Sequence, residues 1–360
     1  MTRLLSLLLA FTTLGASAQY VGLNNKEVRY IRDHKDEPAY QSLAATANQS
    51  LDEIPNPIDT IRTEGLLAGN PKKTATQAAL KDMNRIYALA LAYLVQGDSK
   101  YLKKATQFLL AWANANHPNG DPIDDTNLDR CIEAYDMIKD RLAKDDYQTV
   151  TGWLRLTAQA ELKGRHYRPE RPGFYNNWHS HRLKIVGEIA FAIGDTALQG
   201  YTVRELKTQL EKNLNPDGSS VDFALRDALH YHVYDLEPLL KLIIVLQRAT
   251  GVNYYAYTTP SGASIKRSVD WLLPYLNGQK THPEFVNSTV DFDRKRAQNN
   301  EAAYKAGSLF EAKNGIQTLY LATYFDTSLQ PLARQLSSKE GQSASWLSAE
   351  SSLLPIRHFF

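Results

Sequence analysis

The sequence predicts an all-α fold of successive helical hairpins, and three observations support this. Apolar residues recur at the three- and four-residue spacing of amphipathic helices over most of the chain. A Gly-Asp turn recurs between helical stretches, at Gly97-Asp98 and at Gly194-Asp195. Strand-type alternation bounded by turn residues is scarce. Because one hairpin leaves an apolar face uncovered, neighbouring hairpins must stack, either as an open solenoid or closed into an α/α toroid.

The first 18 residues have the pattern of a cleavable secretory signal. Arg3 precedes an apolar run, Leu4–Leu14, and small residues stand just before Gln19. The run is too short to span a bilayer, and no later stretch is long and apolar enough to do so. We therefore expect a single domain over residues 19–360, in the periplasm or outside the cell.

The composition is that of a globular chain that does not depend on disulfides. Of 360 residues, 43% are hydrophobic and 22% are charged, which is sufficient for a large core. Cys131 is the only cysteine, so no disulfide framework can form. The formal net charge is only +2, so a charged ligand must be recognised by a local cluster. We expect no nucleic-acid partner, and oligomeric state is left open.

The helices follow one another along the chain in pairs. The first predicted helix covers Thr76–Gly97, where a glycine provides the stop. The other helices of the first three hairpins are predicted at residues 100–116, 129–142, 145–162, 178–195 and 201–214. Later helices are predicted at residues 221–250, 264–278, 299–315 and 317–336.

A basic segment rich in amides and imidazoles, "RPGFYNNWHSHRLK" at residues 171–184, is the first candidate for chemistry. The stretch from 161 to 184 contains six cations and only two carboxylates, Glu161 and Glu170; the cations are Lys163, Arg165, Arg168, Arg171, Arg182 and Lys184. Such a patch raises the local potential and attracts anions. The alternative is a solvated basic loop.

A second candidate cluster, "DFALRDALHYHVYDLEPL", covers residues 222–239. On one continuous helix, Arg226, His230 and Tyr234 form a row at spacings of four, and Asp227 and Tyr231 form a neighbouring row. These rows would flank an apolar stripe of Leu225, Leu229, Val233 and Leu236. The helix could line a cleft, or it could be a core helix whose polar groups are satisfied internally.

Neither cluster predicts a metal or a cofactor. The pairs His179 with His181 and His230 with His232 are two residues apart, so on helices their side chains point in different directions. The sequence contains neither a nucleotide-binding glycine motif nor the Gly-X-Ser-X-Gly elbow of serine hydrolases.

One of the two asparagines before Trp178 could simply cap the following helix.

Three segments together resemble the alginate lyase superfamily of polysaccharide lyases. They are "LKDMNRIYALALAYLVQGDSKYLKKATQFLLAWANA", "NWHSHRLKIVGEIAFAIGD" and "PDGSSVDFALRDALHYHVYDLEPL", which occur in the order of the family. The first resembles its scaffold, whereas the Asn-Asn-aromatic motif and the "ALHYH" helix are more specific. The resemblance implies an incomplete α/α toroid that cleaves an acidic polysaccharide by β-elimination without a cofactor.

The resemblance also implies roles for individual residues. Asn177 matches the asparagine that neutralises the substrate carboxylate, and Tyr231 matches the tyrosine that moves the proton, with Arg226 as a nearby cation. His179 and His181 are further catalytic candidates. Substrate-binding roles are expected for Asn176, Trp178, Arg182, His230, Tyr234 and Lys73.

The chain departs from the family pattern at two positions. Trp178 stands directly after the asparagine pair, where the better-known alginate lyases have a histidine, and Ala224 stands where they have an arginine. These departures indicate a divergent branch that acts on glucuronan or a related polyglucuronate as well as, or instead of, alginate.

Two other functions fit an α-helical carbohydrate-active protein. A glycoside hydrolase needs two carboxylates beside the scissile bond, for which Asp222, Asp227 and Asp235 are candidates. A non-catalytic glycan-binding protein could use Trp178 and tyrosines as platforms for sugar rings.

Overall fold

Sixteen α-helices make up most of the computed structural model, which describes residues 19–340. In chain order they are α1 (Asn25–Asp33), α2 (Pro38–Ser50), α3 (Pro71–Ala79), α4 (Lys81–Gln96), α5 (Ser99–Ala115), α6 (Pro122–Asp125), α7 (Asp129–Ile138), α8 (Lys144–Lys163), α9 (Asn177–Ile193), α10 (Thr196–Asn213), α11 (Val221–Arg226), α12 (Leu229–Thr250), α13 (Ile265–Leu276), α14 (Asp291–Gln298), α15 (Ile316–Ala322) and α16 (Gln330–Lys339). Short 3₁₀ helices lie at Thr126–Leu128, Lys139–Arg141, Ala302–Tyr304, Ala312–Gly315 and Thr327–Leu329. The predicted signal, and residues 341–360 of the predicted domain, lie outside the described residues.

The helices form two layers arranged as a ring. The inner helices α4, α7, α9, α12 and α15 pack on one another in that order. Outer helices cover them, with α5 on α4, α10 on α9, α13 on α12 and α16 on α15, while α8 packs on both α5 and α9. Among the described helices, α15 does not pack extensively against α4, so the ring is incomplete. The predicted α/α toroid is confirmed, and the open solenoid is not observed.

Helix α9 is the centre of this arrangement, because every one of its residues except Trp178 is buried. Its apolar residues belong to two adjoining cores, one shared with α4, α5, α7 and α8 and one shared with α10 and α12. A buried ionic cluster adds to the apolar packing. Asp129 on α7 accepts a hydrogen bond from Lys241 on α12 at 2.6 Å and another from Lys184 on α9. Lys184 therefore links α9 to α7 rather than facing a ligand.

The recurring Gly-Asp turn has a physical explanation in the structure. Gly97 and Gly194 end α4 and α9 in the left-handed region, with φ of 78° and 71°, which glycine adopts without steric strain. The aspartates that follow them cap the next helices: Asp98 accepts from the Lys100 N–H, and Asp195 accepts from the Leu198 N–H. The predicted hairpins α4–α5 and α9–α10 are confirmed.

Two predicted helices are broken in the structure. The stretch from Thr76 to Gly97 is divided at Leu80 between α3 and α4. The stretch over 221–250 is divided at Asp227, which adopts φ of 49° and ends α11, before α12 begins at Leu229. The predicted row of Arg226, His230 and Tyr234 on one helix is therefore wrong. Leu225, assigned to the apolar stripe, is 41% exposed.

The chain between α13 and α15 was also predicted incorrectly. Residues 299–315 form two short 3₁₀ helices rather than the predicted α-helix. The reason is that backbone groups of residues 307–310 hydrogen-bond to the backbone of residues 282–284. The predicted helix over 317–336 is interrupted after Ala322. Helix α14 was not predicted. Within residues 19–340, the longest and most apolar helices fall short of what a membrane span requires.

Candidate active site

Tyr231 lies in the first turn of α12, between two arginines. The Arg296 Nη1 donates a hydrogen bond to the Tyr231 hydroxyl at 2.8 Å. The Arg226 guanidinium lies over the face of the ring, 3.8 Å from its centroid. Burial raises the pKa of Tyr231 well above its usual range, and the two arginines oppose that shift. The phenol is consequently the main form in the free protein, and the arginines are positioned to stabilise the phenolate.

The backbone around Tyr231 is held by residues that lie far away in sequence. Ala228 cannot cap α12 with its side chain, and the buried carboxylate of Glu284 does so instead, accepting from the Leu229 and His230 N–H groups at 2.8 and 2.9 Å. The turn at Asp227 is fixed by Asn287, whose backbone and amide N–H groups both donate to its carboxylate at 2.9 Å. These bonds fix the direction in which Tyr231 leaves the helix.

Arg226 is oriented by a buried carboxylate. Its Nη1 donates to Asp293 Oδ1 at 2.5 Å, and Asp293, which is 1% exposed, also accepts from the Ser288 hydroxyl. The charge of Arg226 is therefore largely compensated by Asp293. Arg226 is close to Tyr231, as expected, but through ring stacking rather than contact with the hydroxyl.

Arg296 was missed by sequence reasoning, although it is the cation that contacts the Tyr231 hydroxyl. Its guanidinium lies between the rings of Phe292 and Tyr304, 4.5 Å from each centroid. Its buried Nε has no hydrogen-bond partner among the described residues. No signal in the sequence connects it with Tyr231, since 65 residues separate the two.

Asn177 lies in the first turn of α9 and is connected to this site through Asp222 on α11. The Asn177 backbone N–H donates to Asp222 Oδ2 at 2.7 Å, and its side-chain amide donates to Oδ1. Burial raises the pKa of Asp222 to about 6, against the lowering effect of these hydrogen bonds and of Arg226. Asp222 fixes the Asn177 amide and is within electrostatic range of Arg226.

The two histidines of α9 point in different directions, as their spacing predicts. The His181 ring lies 4.4 Å from the Tyr234 ring with its plane tilted by 44°, and its Nδ1 hydrogen-bonds with the Thr126 hydroxyl at 2.8 Å. Its buried Nε2 has no partner among the described residues, and burial lowers its pKa to about 3. His179 instead contacts Glu205 at 3.2 Å and Arg182 at 3.4 Å. His181 therefore lies beside the tyrosines, whereas His179 lies in a separate polar network.

His230 and Tyr234 belong to an aromatic cluster around Tyr231. The His230 ring lies 5.1 Å from the Tyr231 ring and 5.6 Å from the Tyr304 ring. Burial, together with Arg296 and Arg226, lowers the pKa of His230 to about 4, so its imidazole is neutral at neutral pH. His230 and Tyr234 therefore share one aromatic cluster with Tyr231, and their roles in substrate binding stay a prediction.

Three other predicted binding residues lie apart from this cluster. Asn176 is the N-cap of α9, accepting from the Trp178 N–H at 3.0 Å. Arg182 is buried and ion-paired with Glu161 at 3.2 Å. Trp178 packs against His166, with ring centroids 5.4 Å apart. Asn176 therefore caps a helix, and Arg182 forms a structural ion pair.

Lys73 is also held by the protein itself, because its Nζ donates to the Leu66 carbonyl at 3.0 Å. The loop that contains Leu66 is joined to the segment after α14, where the Ala68 N–H donates to Glu301 at 2.9 Å. The same loop carries Glu64, whose pKa burial raises and Arg296 lowers. Lys73 thus supports a loop that brings Glu64 near Arg296.

Among residues 19–340, no three His, Cys, Asp or Glu side chains are grouped as metal ligands. The predicted independence from metals remains a prediction that only an assay can test.

Comparison with known proteins finds similarity to alginate lyases. The sequence model of the family described as Alginate lyase matches residues 25–282. No curated protein sequence matches the chain. Among solved structures, the chain is similar to an alginate lyase from Bacteroides ovatus, with 17% identity, a TM-score of 0.68 and coverage of 89% of this chain and 96% of that chain.

A second solved relative is alginate lyase A1-III. The structure from Sphingomonas species A1 has 18% identity, a TM-score of 0.53 and coverage of 73% of this chain and 79% of that chain. A tyrosine-to-phenylalanine variant of A1-III complexed with a tetrasaccharide has 18% identity, a TM-score of 0.55 and coverage of 73% and 78%. At these identities the structures bear on the fold alone. The family model, in contrast, matches most of the sequence, and the chain therefore belongs to the alginate lyase family of polysaccharide lyases.

Proposed function

We propose that the protein cleaves a polyuronate containing mannuronate or glucuronate by metal-independent β-elimination, with Tyr231 carrying the proton. The observation that supports this most directly is the contact of the Tyr231 hydroxyl with Arg296, with Arg226 stacked on the same ring. A phenol with two cations beside it is the arrangement expected of a tyrosine that must become a phenolate.

The reaction explains why amides, imidazoles and cations are needed together. The proton on carbon 5 of a uronate is weakly acidic, because the adjacent carboxylate opposes formation of a carbanion. A donor held on that carboxylate stabilises the enediolate more than the ground state. The base then removes the carbon 5 proton, and an acid protonates the oxygen that leaves carbon 4.

Asn177 and His181 are the groups we assign to the substrate carboxylate. The Asn177 amide is already oriented by Asp222. His181 has a buried, unpartnered Nε2 among the described residues and lies next to Tyr234. His179, committed to Glu205 and Arg182, is assigned a structural role.

Substrate preference follows from using one residue as both base and acid. In mannuronate and glucuronate, the carbon 5 proton and the leaving oxygen lie on the same face of the sugar, so one tyrosine can reach both. In guluronate they lie on opposite faces, and a second residue is needed. We therefore expect mannuronate or glucuronan blocks to be cleaved faster than guluronate blocks.

The glycoside hydrolase alternative is not supported by the positions of the candidate carboxylates. Asp222 is bound by Asn177, and Asp227 is bound by Asn287. Asp235 is buried and accepts hydrogen bonds from two buried side chains. All three carboxylates are hydrogen-bonded within the fold, and no two of them form a pair across a binding site.

The decisive experiment is incubation with polymannuronate, polyguluronate and glucuronan in the presence of a chelator. A lyase forms an unsaturated product that absorbs in the ultraviolet, a hydrolase forms reducing ends without that absorbance, and a binding protein forms neither. Loss of activity in the chelator, with recovery on adding zinc or calcium, would overturn metal independence.

We also propose that the protein acts in the periplasm or outside the cell, which fractionation of the source cells would test.

A further inference from the structure

A basic pocket of about 220 Å³ lies beside the first turn of α9, apart from the residues around Tyr231. Its lining includes Arg165, Arg168, Arg171 and Arg182, together with the indole of Trp178. No carboxylate is among the described residues that line it. The volume is sufficient for one sugar ring rather than for a length of polymer.

The charges of this pocket are only partly compensated. Arg182 is paired with Glu161, and Arg168 donates to the Tyr167 carbonyl at 2.8 Å. The Arg171 guanidinium is exposed and makes no hydrogen bond or ion pair within residues 19–340. An anion entering the pocket would meet at least one cation that has no competing partner.

The aromatic wall suits a sugar ring as well as an anion. Trp178 is the one residue of α9 that is not buried, and it packs against His166. The Arg165 Nε donates to His166 Nε2 at 2.8 Å, which makes that nitrogen the acceptor and the imidazole neutral. An indole face beside guanidinium groups combines an apolar platform with charge recognition.

The position of the pocket connects it with the proposed reaction. Asn176 and Trp178 line it, and Asn177, which lies between them in sequence, is oriented toward Asp222 and the Tyr231 site. The pocket and Asn177 therefore lie at the same end of α9.

We propose that this pocket is an additional subsite, which binds the carboxylate and ring of a uronate unit remote from the scissile bond. The inference rests on the proposed function, since it takes the ligand to be another unit of the same polyuronate chain. The subsite favours long substrates over short ones and influences where along the polymer the cut falls.

The test measures binding as a function of oligosaccharide length in the full chain carrying Tyr231→Phe, so that no cleavage occurs. Mannuronate and glucuronate oligomers from disaccharide to octasaccharide are titrated by calorimetry. Adding Arg171→Ala should weaken binding of the longest oligomers about tenfold, the scale of one charge-assisted hydrogen bond, and change disaccharide binding less than twofold. Arg334→Ala, which removes an exposed arginine from α16, is the matched control and should change neither.

Trp178→Phe provides a second variant in case one substitution disturbs the loop. It should reduce the quenching of tryptophan fluorescence by long oligomers while the far-ultraviolet circular dichroism stays unchanged. An equal loss at every length, or no loss at any length, would overturn the proposal. Inorganic phosphate competing as strongly as the octasaccharide would also overturn it, by showing that the pocket takes a small anion.

The two proposals can fail separately. A protein that cleaves polyuronates but shows no length-dependent effect of Arg171→Ala keeps the proposed function and loses the subsite. A protein that forms no unsaturated product, yet binds long oligomers through Arg171, keeps the subsite and loses the assigned reaction.

Discussion

The two arginines beside Tyr231 should have separable effects on activity and on stability. Arg296 reaches the hydroxyl directly at 2.8 Å, whereas Arg226 stacks on the ring and is paired with Asp293 at 2.5 Å. Replacing each with glutamine removes one positive charge and retains a polar side chain. We expect Arg296→Gln to reduce turnover and Arg226→Gln to reduce stability.

The magnitudes follow from the contacts. A cation about 4 Å from the phenolate oxygen contributes about 4 kcal/mol at an effective dielectric constant of about 20, or roughly three pKa units. Arg296 is partly exposed, so we expect its loss to lower the phenolate fraction, and with it turnover, by about 10²–10³. Arg226→Gln leaves Asp293 buried with only the Ser288 hydroxyl, which should cost about 3 kcal/mol of unfolding free energy.

The assay pairs initial rates, from the ultraviolet absorbance of the unsaturated product, with urea unfolding followed by circular dichroism. Arg296→Gln should unfold within about 1 kcal/mol of the wild type, the net value of one hydrogen bond. The double variant Arg226→Gln/Asp293→Asn is the control, since it removes both charges and should recover part of the lost stability. If Arg226→Gln lowers turnover as much as Arg296→Gln under conditions where both are folded, the assignment of Arg296 to the phenolate is wrong.

Three further predictions concern the proton and the substrate carboxylate. Tyr231→Phe should lower turnover by at least about 10², the lower end for loss of general acid–base catalysis, while Tyr234→Phe retains more activity; the opposite order in matched rate assays would move the proton to Tyr234. His181→Ala should reduce kcat with normal unfolding, whereas His179→Ala should reduce stability through the loss of its contacts with Glu205 and Arg182; rates and urea midpoints measured together distinguish the two. Burial raises the pKa of Tyr231, so the phenolate that the proposed reaction requires is the minor form. We therefore expect kcat/KM to rise with pH above neutrality, by up to about tenfold per pH unit, while the protein remains folded. A decrease in kcat/KM at alkaline pH under folded conditions would contradict this.

The helices of the hairpins α4–α5 and α9–α10 could be predicted from sequence because local signals specify them. Apolar spacing over α5, α9 and α10 is regular, and the Gly97-Asp98 and Gly194-Asp195 pairs mark both the end of one helix and the start of the next. The same local signals placed Asn177 at the start of α9. As predicted, one asparagine, Asn176, is the cap of α9; the other, Asn177, hydrogen-bonds to Asp222.

The surroundings of Tyr231 could not be predicted, because long-range contacts determine them. The break at Asp227 is stabilised by Asn287 and Glu284, more than fifty residues away. Helix α14 has a single large apolar residue, Phe292, and so gives no periodic pattern. The contact between Arg296 and Tyr231 exists only because tertiary structure brings α14 to the first turn of α12.

The segment that surrounds Tyr231 has a consequence for how this branch of the family can diverge. Glu284, Asp293 and Arg296 all follow residues 25–282, the part of the chain matched by the family model. The ring supplies the tyrosine and Arg226, whereas the later stretch of chain supplies Arg296, which also opposes the rise in the pKa of Tyr231 that burial causes. A substitution at Arg296 would change the electrostatics at the Tyr231 hydroxyl, whereas a substitution at Glu284 would also remove the cap of α12. During synthesis, likewise, α4 to α12 emerge from the ribosome before Arg296, so four of the five inner helices can pack before the surroundings of Tyr231 are complete.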